Sequence, residues 1–301
     1  MLSAPNVDLS DEQTAEITYS AQMNCLGDYP YKRRRYALII FPNSVFIIGG
    51  YDFDAKNKTR SRPLHDFIYD IDKKECQPIV SFPPPGRVAF GVAPSERYII
   101  VIGGQTFDNI KVGFEVTILC WISVNFYVGW EKFPSYPHPV LAPGVTFTEN
   151  QVIVIGGFDI VVGETDMLSS HYQLNFQEKV WHRRADLNPA RARTLVICIY
   201  NGDDLEIYTA GGYMLMNGKA QAIDKIHAYD AKKDQWNKLT DIPDLRMDHA
   251  ITVAQTKLII SEEMPNLDEP VHPIMNPIRM YDFESGAWKK IENEDNQNVQ
   301  N

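Results

Sequence analysis

Arginine recurs at one position of this chain, directly before short segments rich in Val, Ile and Ala. A planar guanidinium can hold a carboxylate or a phosphate through two parallel hydrogen bonds, so arginines brought together would form an anion-binding ring. Alternatively, each arginine pairs with a nearby carboxylate, such as Asp186, Asp244 or Asp248, and only shapes its own turn. The arginines predicted to bind a partner are Arg35, Arg87, Arg191 and Arg246, with Arg33 and Arg34 as alternatives to Arg35 and with Val140 at this position of the third segment.

The first of these arginines belongs to a dense basic run, Lys32-Arg33-Arg34-Arg35. Such a run could act in nuclear import or bind nucleic acid. We favour a solvated turn, because one of its arginines already has a place in the recurring pattern. The formal net charge of −10 also argues against general binding to nucleic acid or to an anionic membrane, since both require a basic field.

Sequence signatures of catalysis are missing. The seven histidines form no HExxH or HxxxH set, and no GxSxG motif is present. The four cysteines lie far apart and have no zinc-binding spacing. We therefore expect a protein without enzymatic activity, cofactor or bound metal.

The strands that must position the arginines are marked by a short run of β-branched residues followed by two glycines. Successive first glycines are 54, 53 and 55 residues apart, which indicates a repeat of supersecondary units. Glycine at the end of a strand permits positive φ and close backbone approach. The pairs are Gly49-Gly50, Gly103-Gly104, Gly156-Gly157 and Gly211-Gly212.

A second marker counts five units, because its positions are spaced by 54, 51, 55 and 52 residues. These positions are Cys76, Trp130, Trp181, Trp236 and Trp288. The fifth unit has Ser261-Glu262 where the glycine pair would stand. Tyr-Asp precedes the marker in three units, whereas the second has Ser123-Val124 and the third has Leu174-Asn175. Short β-branched and aromatic runs bounded by turn residues predict four strands in each unit.

Units of four short strands with a glycine pair, a tyrosine and a tryptophan resemble the kelch repeat. The resemblance covers residues from about 35 to 291 and is most complete in the fourth unit, with Gly211-Gly212, Tyr229-Asp230 and Trp236. It implies an all-β fold, a β-propeller of kelch-type four-stranded blades, with five complete units plus an N-terminal half unit. The ring would be five- or six-bladed. We expect an N-terminal extension over 1–15, the propeller over 16–292 and a disordered tail over 293–301.

The kelch resemblance also implies a binding face. In kelch propellers that serve as substrate receptors, the loops from second to third strand and from fourth to next first strand hold the partner, and the inner strands start at the channel mouth. By position, these loops supply Tyr51, Phe158 and Tyr213 as partner-binding residues, accompanied by Phe53, Arg60, Arg62, Phe107 and Met214. Alternatively, these aromatic side chains pack against their own blades.

These observations predict a scaffold for protein–protein interaction that binds a partner protein, preferably an acidic or phosphorylated segment, through its loop face. The alternative is a metal-dependent oxidoreductase or a sugar-modifying enzyme on a kelch-like propeller. The chain shows neither a signal peptide nor an apolar run of about eighteen residues, and its scattered cysteines favour a reducing compartment. We therefore expect a cytoplasmic protein with no nucleic-acid or membrane partner.

Overall fold

The computed structural model describes residues 32–34, 37–41, 43–54, 59–61, 66–79, 86–95, 98–106, 116–123, 126–148, 150–161, 164–201, 204–243, 250–254, 256–261 and 278–291. Within these ranges every regular element is a β-strand. The chain divides into two compact units, one from residues 1–89 and 106–110 and one from residues 90–105 and 111–301.

The first unit contains a four-stranded antiparallel sheet, sheet 1, with the strand order β2-β3-β6-β7. A three-stranded sheet of order β1-β4-β5 accompanies it, and the core of sheet 1 is formed around Val45, Ile47 and Tyr69. The strands are β1 (Lys32–Arg34), β2 (Ala37–Phe41), β3 (Ser44–Ile48), β4 (Tyr51–Asp54), β5 (Thr59–Ser61), β6 (Asp66–Asp70), β7 (Glu75–Ile79) and β8 (Arg87–Val88).

Most of the remaining strands form four more four-stranded antiparallel sheets and two hairpins. The strands are β9 (Gly91–Pro94), β10 (Tyr98–Ile102), β11 (Gln105–Thr106), β12 (Val116–Ser123), β13 (Phe126–Phe133), β14 (Gly144–Phe147), β15 (Gln151–Ile155), β16 (Phe158–Val161), β17 (Glu164–Met167), β18 (His171–Asn175), β19 (Val180–Arg184), β20 (Leu195–Asn201), β21 (Asp204–Ala210), β22 (Tyr213–Met216), β23 (Lys219–Ala222), β24 (Lys225–Asp230), β25 (Gln235–Asp241), β26 (Ala250–Ala254), β27 (Lys257–Ser261), β28 (Ile278–Asp282) and β29 (Ala287–Ile291). Sheet 2 is β9-β10-β12-β13, sheet 3 is β14-β15-β18-β19, sheet 4 is β20-β21-β24-β25 and sheet 5 is β26-β27-β28-β29.

Strand β15, the second strand of sheet 3, is apolar on both faces because sheets 2 and 4 cover them. In β15, Val152 and Val154 pack in one cluster with Ile100 of sheet 2. The alternate residues Ile153 and Ile155 pack in a second cluster with Val196 and Ile207 of sheet 4. Strand residues alternate between faces, so a strand between two sheets needs apolar residues at consecutive positions.

Three of the glycine pairs, Gly49-Gly50, Gly103-Gly104 and Gly156-Gly157, lie where backbone from the next repeat passes the end of the second strand. All eight glycines of the four pairs have positive φ, and Gly156 has a φ of 64°. A Cβ added to Gly156 would lie 2.2 Å from the carbonyl oxygen of Arg191, which is closer than any real Cβ contact. Both reasons predicted for glycine, positive φ and close approach, are therefore confirmed at this position.

Trp181 and Trp236 each connect their own sheet to the end of the preceding one. Trp236 is the cross-strand neighbour of Tyr229, and their ring centroids are 5.1 Å apart. The indole Nε1–H of Trp236 donates to the carbonyl oxygen of Ala185, 3.1 Å away at the end of sheet 3. Trp181 makes the equivalent bond to Pro134 at 3.2 Å. These tryptophans therefore link neighbouring repeats by a hydrogen bond in addition to the predicted packing.

The aspartate of the Tyr-Asp pair closes the turn between the third and fourth strands. The Oδ1 atom of Asp230 accepts hydrogen bonds from the amides of Lys232 and Lys233. Asn175 does the same for the amides of Gln177 and Glu178, because a side-chain amide oxygen can replace a carboxylate oxygen in this turn. The departure from the motif at Asn175 therefore preserves the local structure.

The all-β prediction of kelch-type four-stranded sheets is confirmed, and the described part of the chain contains five such sheets. The fifth unit keeps this order although it lacks the glycine pair. The number of blades, the closure of the ring and the domain limits stay predictions. The proposed extension over 1–15, the half unit before β1 and the tail over 293–301 lie outside the described residues.

Candidate partner-binding face

In three repeats, the residue at the recurring arginine position has its backbone hydrogen-bonded to the preceding repeat. Its carbonyl oxygen accepts a hydrogen bond from the second glycine of the preceding pair. This bond recurs from Gly50 to Arg87 at 3.1 Å, from Gly104 to Val140 at 2.9 Å and from Gly157 to Arg191 at 2.7 Å. The recurrence explains why side chains as different as valine and arginine occupy this position, since the contact is made by the main chain.

Arg191 is held inside the sheet structure by its side chain as well. It is 0% exposed, and its Nε donates to the carbonyl oxygen of Pro189 at 3.2 Å. Nη1 donates to the carbonyl oxygen of Gly211 at 3.4 Å, and Nη2 lies 3.4 Å from Nδ1 of His227. The described residues provide no carboxylate partner for this guanidinium. The alternative role inferred from the sequence, pairing with Asp186, is not seen, because Asp186 binds Arg183.

Burial lowers the pKa values of both Arg191 and His227. It lowers the pKa of Arg191 to about 10, which leaves the guanidinium charged at neutral pH. Burial, followed by the charge of Arg191, lowers the pKa of His227 to about 4. The imidazole is therefore neutral near pH 7, and its Nδ1 can accept the hydrogen bond from Arg191.

Of the other three predicted arginines, the structure describes one. Arg87 is 6% exposed, whereas Arg35 and Arg246 lie outside the described residues. The repeat register assigns Arg33 rather than Arg35 to the position of Arg191 in the first unit. Arg34, the next residue along the chain, pairs with Tyr51, which follows the first glycine pair. In the same way, Ala192 pairs with Tyr213, which follows the fourth glycine pair. Sixteen residues separate Arg33 from Gly49, Arg87 from Gly103 and Val140 from Gly156, so this count could have identified Arg33 from the sequence.

The three predicted aromatic residues follow the glycine pairs at equivalent positions. Phe158 exchanges two backbone hydrogen bonds with Leu141, at 2.8 and 2.9 Å, and Tyr213 exchanges two with Ala192, both at 3.0 Å. Each bond pair fastens a hairpin to the connection that leads into the same sheet. The side chains of Phe158 and Tyr213 are partly exposed, whereas Tyr51 is buried. Their roles in partner binding stay predictions.

An exposed arginine that the sequence analysis missed lies beside Tyr213. Arg193 follows Arg191 by two residues, has a φ of 52° and is exposed. Its guanidinium carbon lies 6.0 Å from the ring centroid of Tyr213, within the range of a cation–π contact. Ala89 and Ala142 have similar positive φ values at the equivalent positions, so the turn recurs, but Ala142 is buried and only Arg193 is exposed there. The pattern of arginines before inner strands pointed to the buried residue instead of this one.

The hairpin β22–β23 extends this surface with apolar side chains. Leu215 is 36% exposed and Met216 is 50% exposed near the hairpin tip, which turns at Asn217-Gly218. Methionine adapts its shape to different partners, and tyrosine and arginine are frequent in binding hot spots. We name Arg193 and the exposed part of this hairpin, with Tyr213 and Leu215 on one side and Met216 on the other, the sheet 4 loop face.

Two further findings concern other classes of site. Among the described residues, no three His, Cys, Asp or Glu side chains are grouped so that they could hold a metal ion. The part of the chain that the structure describes also has no helix with the length and apolarity needed to cross a bilayer.

Comparison with known proteins shows that this chain is similar in sequence to kelch-repeat proteins. No protein-family model matches it. Kelch repeat and BTB domain-containing protein 1 of cowpox virus (strain GRI-90) is 25% identical over 264 residues, which cover 85% of this chain and 41% of that protein. Kelch-like protein 40 of Xenopus tropicalis is 26% identical over 207 residues, which cover 68% of this chain and 31% of that protein.

These similarities and the repeated four-stranded sheets confirm the kelch-repeat resemblance. The chain spans about two fifths of the length of the viral relatives that it matches.

Proposed function

We propose that this chain is a protein-interaction module that binds a partner protein through the sheet 4 loop face. The observation that carries the proposal is the exposed guanidinium of Arg193 over the ring of Tyr213, whose hairpin also exposes Leu215 and Met216. A rigid aromatic ring, a fixed cation and adaptable apolar side chains are the elements from which binding hot spots are built. The relatives' names combine kelch repeats with a BTB domain, which is consistent with an adaptor whose kelch part recognises the partner.

The preferred ligand in this proposal is an acidic or phosphorylated segment. Arg193 supports it, because an exposed guanidinium can form a bidentate pair with a carboxylate or phosphate. The buried Arg87 and Arg191 are poor positions for testing the idea, since charge reversal there would also disturb the fold. The described residues offer nothing in support of the alternative oxidoreductase or sugar-modifying enzyme, and we propose a non-catalytic, cytoplasmic role.

The proposal is tested by affinity capture with matched variants of the full chain. Proteins bound to the wild-type chain would be compared with those bound to the double variant Arg193→Glu, Tyr213→Ala. The control is Lys289→Glu, which reverses an exposed charge on the outer strand β29. Specific partners should fall at least tenfold with the double variant and stay unchanged with the control.

Salt provides the test of ligand charge. Binding of a captured partner should weaken as ionic strength rises, because added salt screens exposed ion pairs. Equal recovery of all bound proteins by the wild type and the double variant would contradict the proposed surface. Binding that is insensitive to salt would contradict only the acidic preference.

A further inference from the structure

A cleft of about 270 Å³ opens beside sheet 3, apart from the sheet 4 loop face. Three parts of the chain surround it: the connection that leads into β14, the hairpin β16–β17, and the adjoining ends of β18 and β19. Its volume is slightly below the range for drug-sized ligands, so it suits one long side chain. The polar side chains that line it are His138, Asp159, Ser169, Ser170, Tyr172 and Arg183.

Two carboxylates on the hairpin give this cleft an excess of negative charge. Asp159 of β16 lies directly opposite Asp166 of β17 in the antiparallel register. Directly opposed residues share one face of a hairpin, and like charges in such a pair destabilise it. The Oδ1 atom of Asp159 is shielded from solvent and has no hydrogen-bond partner among the described residues. A cation placed here would relieve the repulsion and pair with this oxygen.

Buried hydroxyl groups provide further polar atoms in and beneath the cleft. Ser170 is 7% exposed and lines the cleft. Burial raises the pKa of Tyr136, a residue 1% exposed, and a hydrogen bond between its hydroxyl and that of Ser170 acts against this rise. A hydroxyl oxygen has two lone pairs, so the Ser170 Oγ can still accept a hydrogen bond from a ligand in the cleft.

Aromatic rings form one wall of the cleft. The ring centroids of His138 and Tyr172 are 5.5 Å apart in an edge-to-face arrangement, and Tyr136 contacts both rings. Nδ1 of His138 lies 3.3 Å from the carbonyl oxygen of Pro139. A carbonyl can only accept, so Nδ1 carries the proton in this contact. Aromatic walls with nearby acceptors favour cations.

The one cation that lines the cleft is already neutralised, as far as the described residues show. Nη2 of Arg183 lies 3.0 Å from each of the two carboxylate oxygens of Asp186. The hydroxyl of Ser169 donates to the same carboxylate at 3.1 Å. Arg183 and Asp186 therefore cancel in charge, and the carboxylates of Asp159 and Asp166 determine the sign of the cleft.

We propose that this cleft binds a basic side chain, lysine or arginine, of the partner protein. The inference rests on the proposed function, because it assigns a second recognition site to the same protein-interaction module. The ammonium or guanidinium group pairs with Asp159, donates to the Ser170 hydroxyl and stacks against Tyr172. The partner then carries a basic residue for this cleft in addition to the acidic segment proposed for Arg193.

The experiment uses small probes and the purified full chain, so it needs no partner. Nα-acetyl-arginine amide would be titrated into the protein and followed by the NMR signals of the Met167 methyl group and the His138 ring. The matched neutral probe is Nα-acetyl-citrulline amide, which has nearly the same shape without the charge. The arginine probe should bind at least tenfold more tightly than the citrulline probe.

Two variants test the carboxylates separately. Asp159→Asn should weaken binding of the arginine probe at least tenfold, and Asp166→Asn should weaken it severalfold. The exposed Asp166 keeps the test valid if the more buried position does not tolerate asparagine. Asp204→Asn, an exposed carboxylate of β21 in sheet 4, is the control and should leave binding unchanged.

The outcomes separate this inference from the proposed function. Equal binding of the two probes, or unchanged binding by both Asp159→Asn and Asp166→Asn, overturns the cleft proposal. Loss of partner capture by Arg193→Glu, Tyr213→Ala concerns the sheet 4 loop face and leaves the probe titration unaffected. A wild-type chain that binds the arginine probe but keeps every partner after that double substitution contradicts the loop face and supports the cleft.

Discussion

The buried imidazole of His171 should make the folded state sensitive to acid. His171 lies in β18, is 0% exposed and packs edge-to-face against Tyr229, with ring centroids 4.7 Å apart. The side-chain amide of Gln173 lies 3.2 Å from Nε2, and its oxygen accepts a hydrogen bond from Arg184. This orientation points an N–H donor at Nε2, so the ring must be neutral for Nε2 to accept. Burial lowers the pKa of His171 to about 4.

The magnitude follows from proton linkage. Above pH 6.5 the histidine is neutral in both states and contributes no pH dependence. Between pH 6.5 and about 4 the unfolded chain binds a proton that the folded chain excludes, so the free energy of unfolding falls as the pH falls. A pKa difference of about 2.5 corresponds to a loss of about 3 kcal/mol, complete below about pH 4.

Urea unfolding at a series of pH values between 7 and 4 measures this loss. The variant His171→Phe keeps an aromatic ring in the site but cannot take up the proton, so its stability should fall about 3 kcal/mol less than that of the wild type over this range. The buried His227 remains in both proteins, and its contribution cancels in the comparison. The control His182→Phe replaces an exposed histidine of β19 and should keep the wild-type dependence. Identical pH profiles for wild type and His171→Phe would refute the reasoning.

Two further predictions concern the contacts between repeats. Trp236→Phe should lower the free energy of unfolding by about 1 kcal/mol, because it removes the hydrogen bond to Ala185. Trp236→Ala should cost about 3–5 kcal/mol in the same urea measurement, and a Trp236→Phe variant as stable as the wild type would contradict the assigned bond. Gly156→Ala should cost at least about 2 kcal/mol more than the control Gly218→Ala, because only the Cβ at residue 156 meets a carbonyl oxygen, that of Arg191. Equal losses at the two glycines would show that positive φ alone requires glycine there.

The arrangement of strands could be predicted because it depends on local rules that repeat. Val152 to Ile155 are apolar at consecutive positions, which already indicates a strand covered on both faces. The glycine pair marks the end of that strand, and Trp236 marks the fourth strand that packs against the preceding sheet. Asn175 departs from the tyrosine-aspartate motif without harm, since the turn requires only a side-chain oxygen at that position.

The residues of the proposed binding face were harder to predict, because exposure depends on the path of the chain after a turn. Arg191 fitted the repeat pattern, but the pattern preserves its carbonyl oxygen and the structure buries its guanidinium. Arg193, two residues later, carries the exposed charge. The contact between Arg193 and Tyr213 joins segments about twenty residues apart, so no local spacing rule predicts it.

The sequence by itself determined the repeat, the strand order within each repeat and the resemblance to kelch proteins, because these depend on residue types at a regular interval. The tertiary structure decided which charges are available. It neutralises Arg183 with Asp186, buries Arg191 against His227 and leaves Asp159 opposite Asp166 beside a cleft. Residues far apart in the chain become neighbours only after the sheets pack, and whether a charge is paired or free depends on those neighbours.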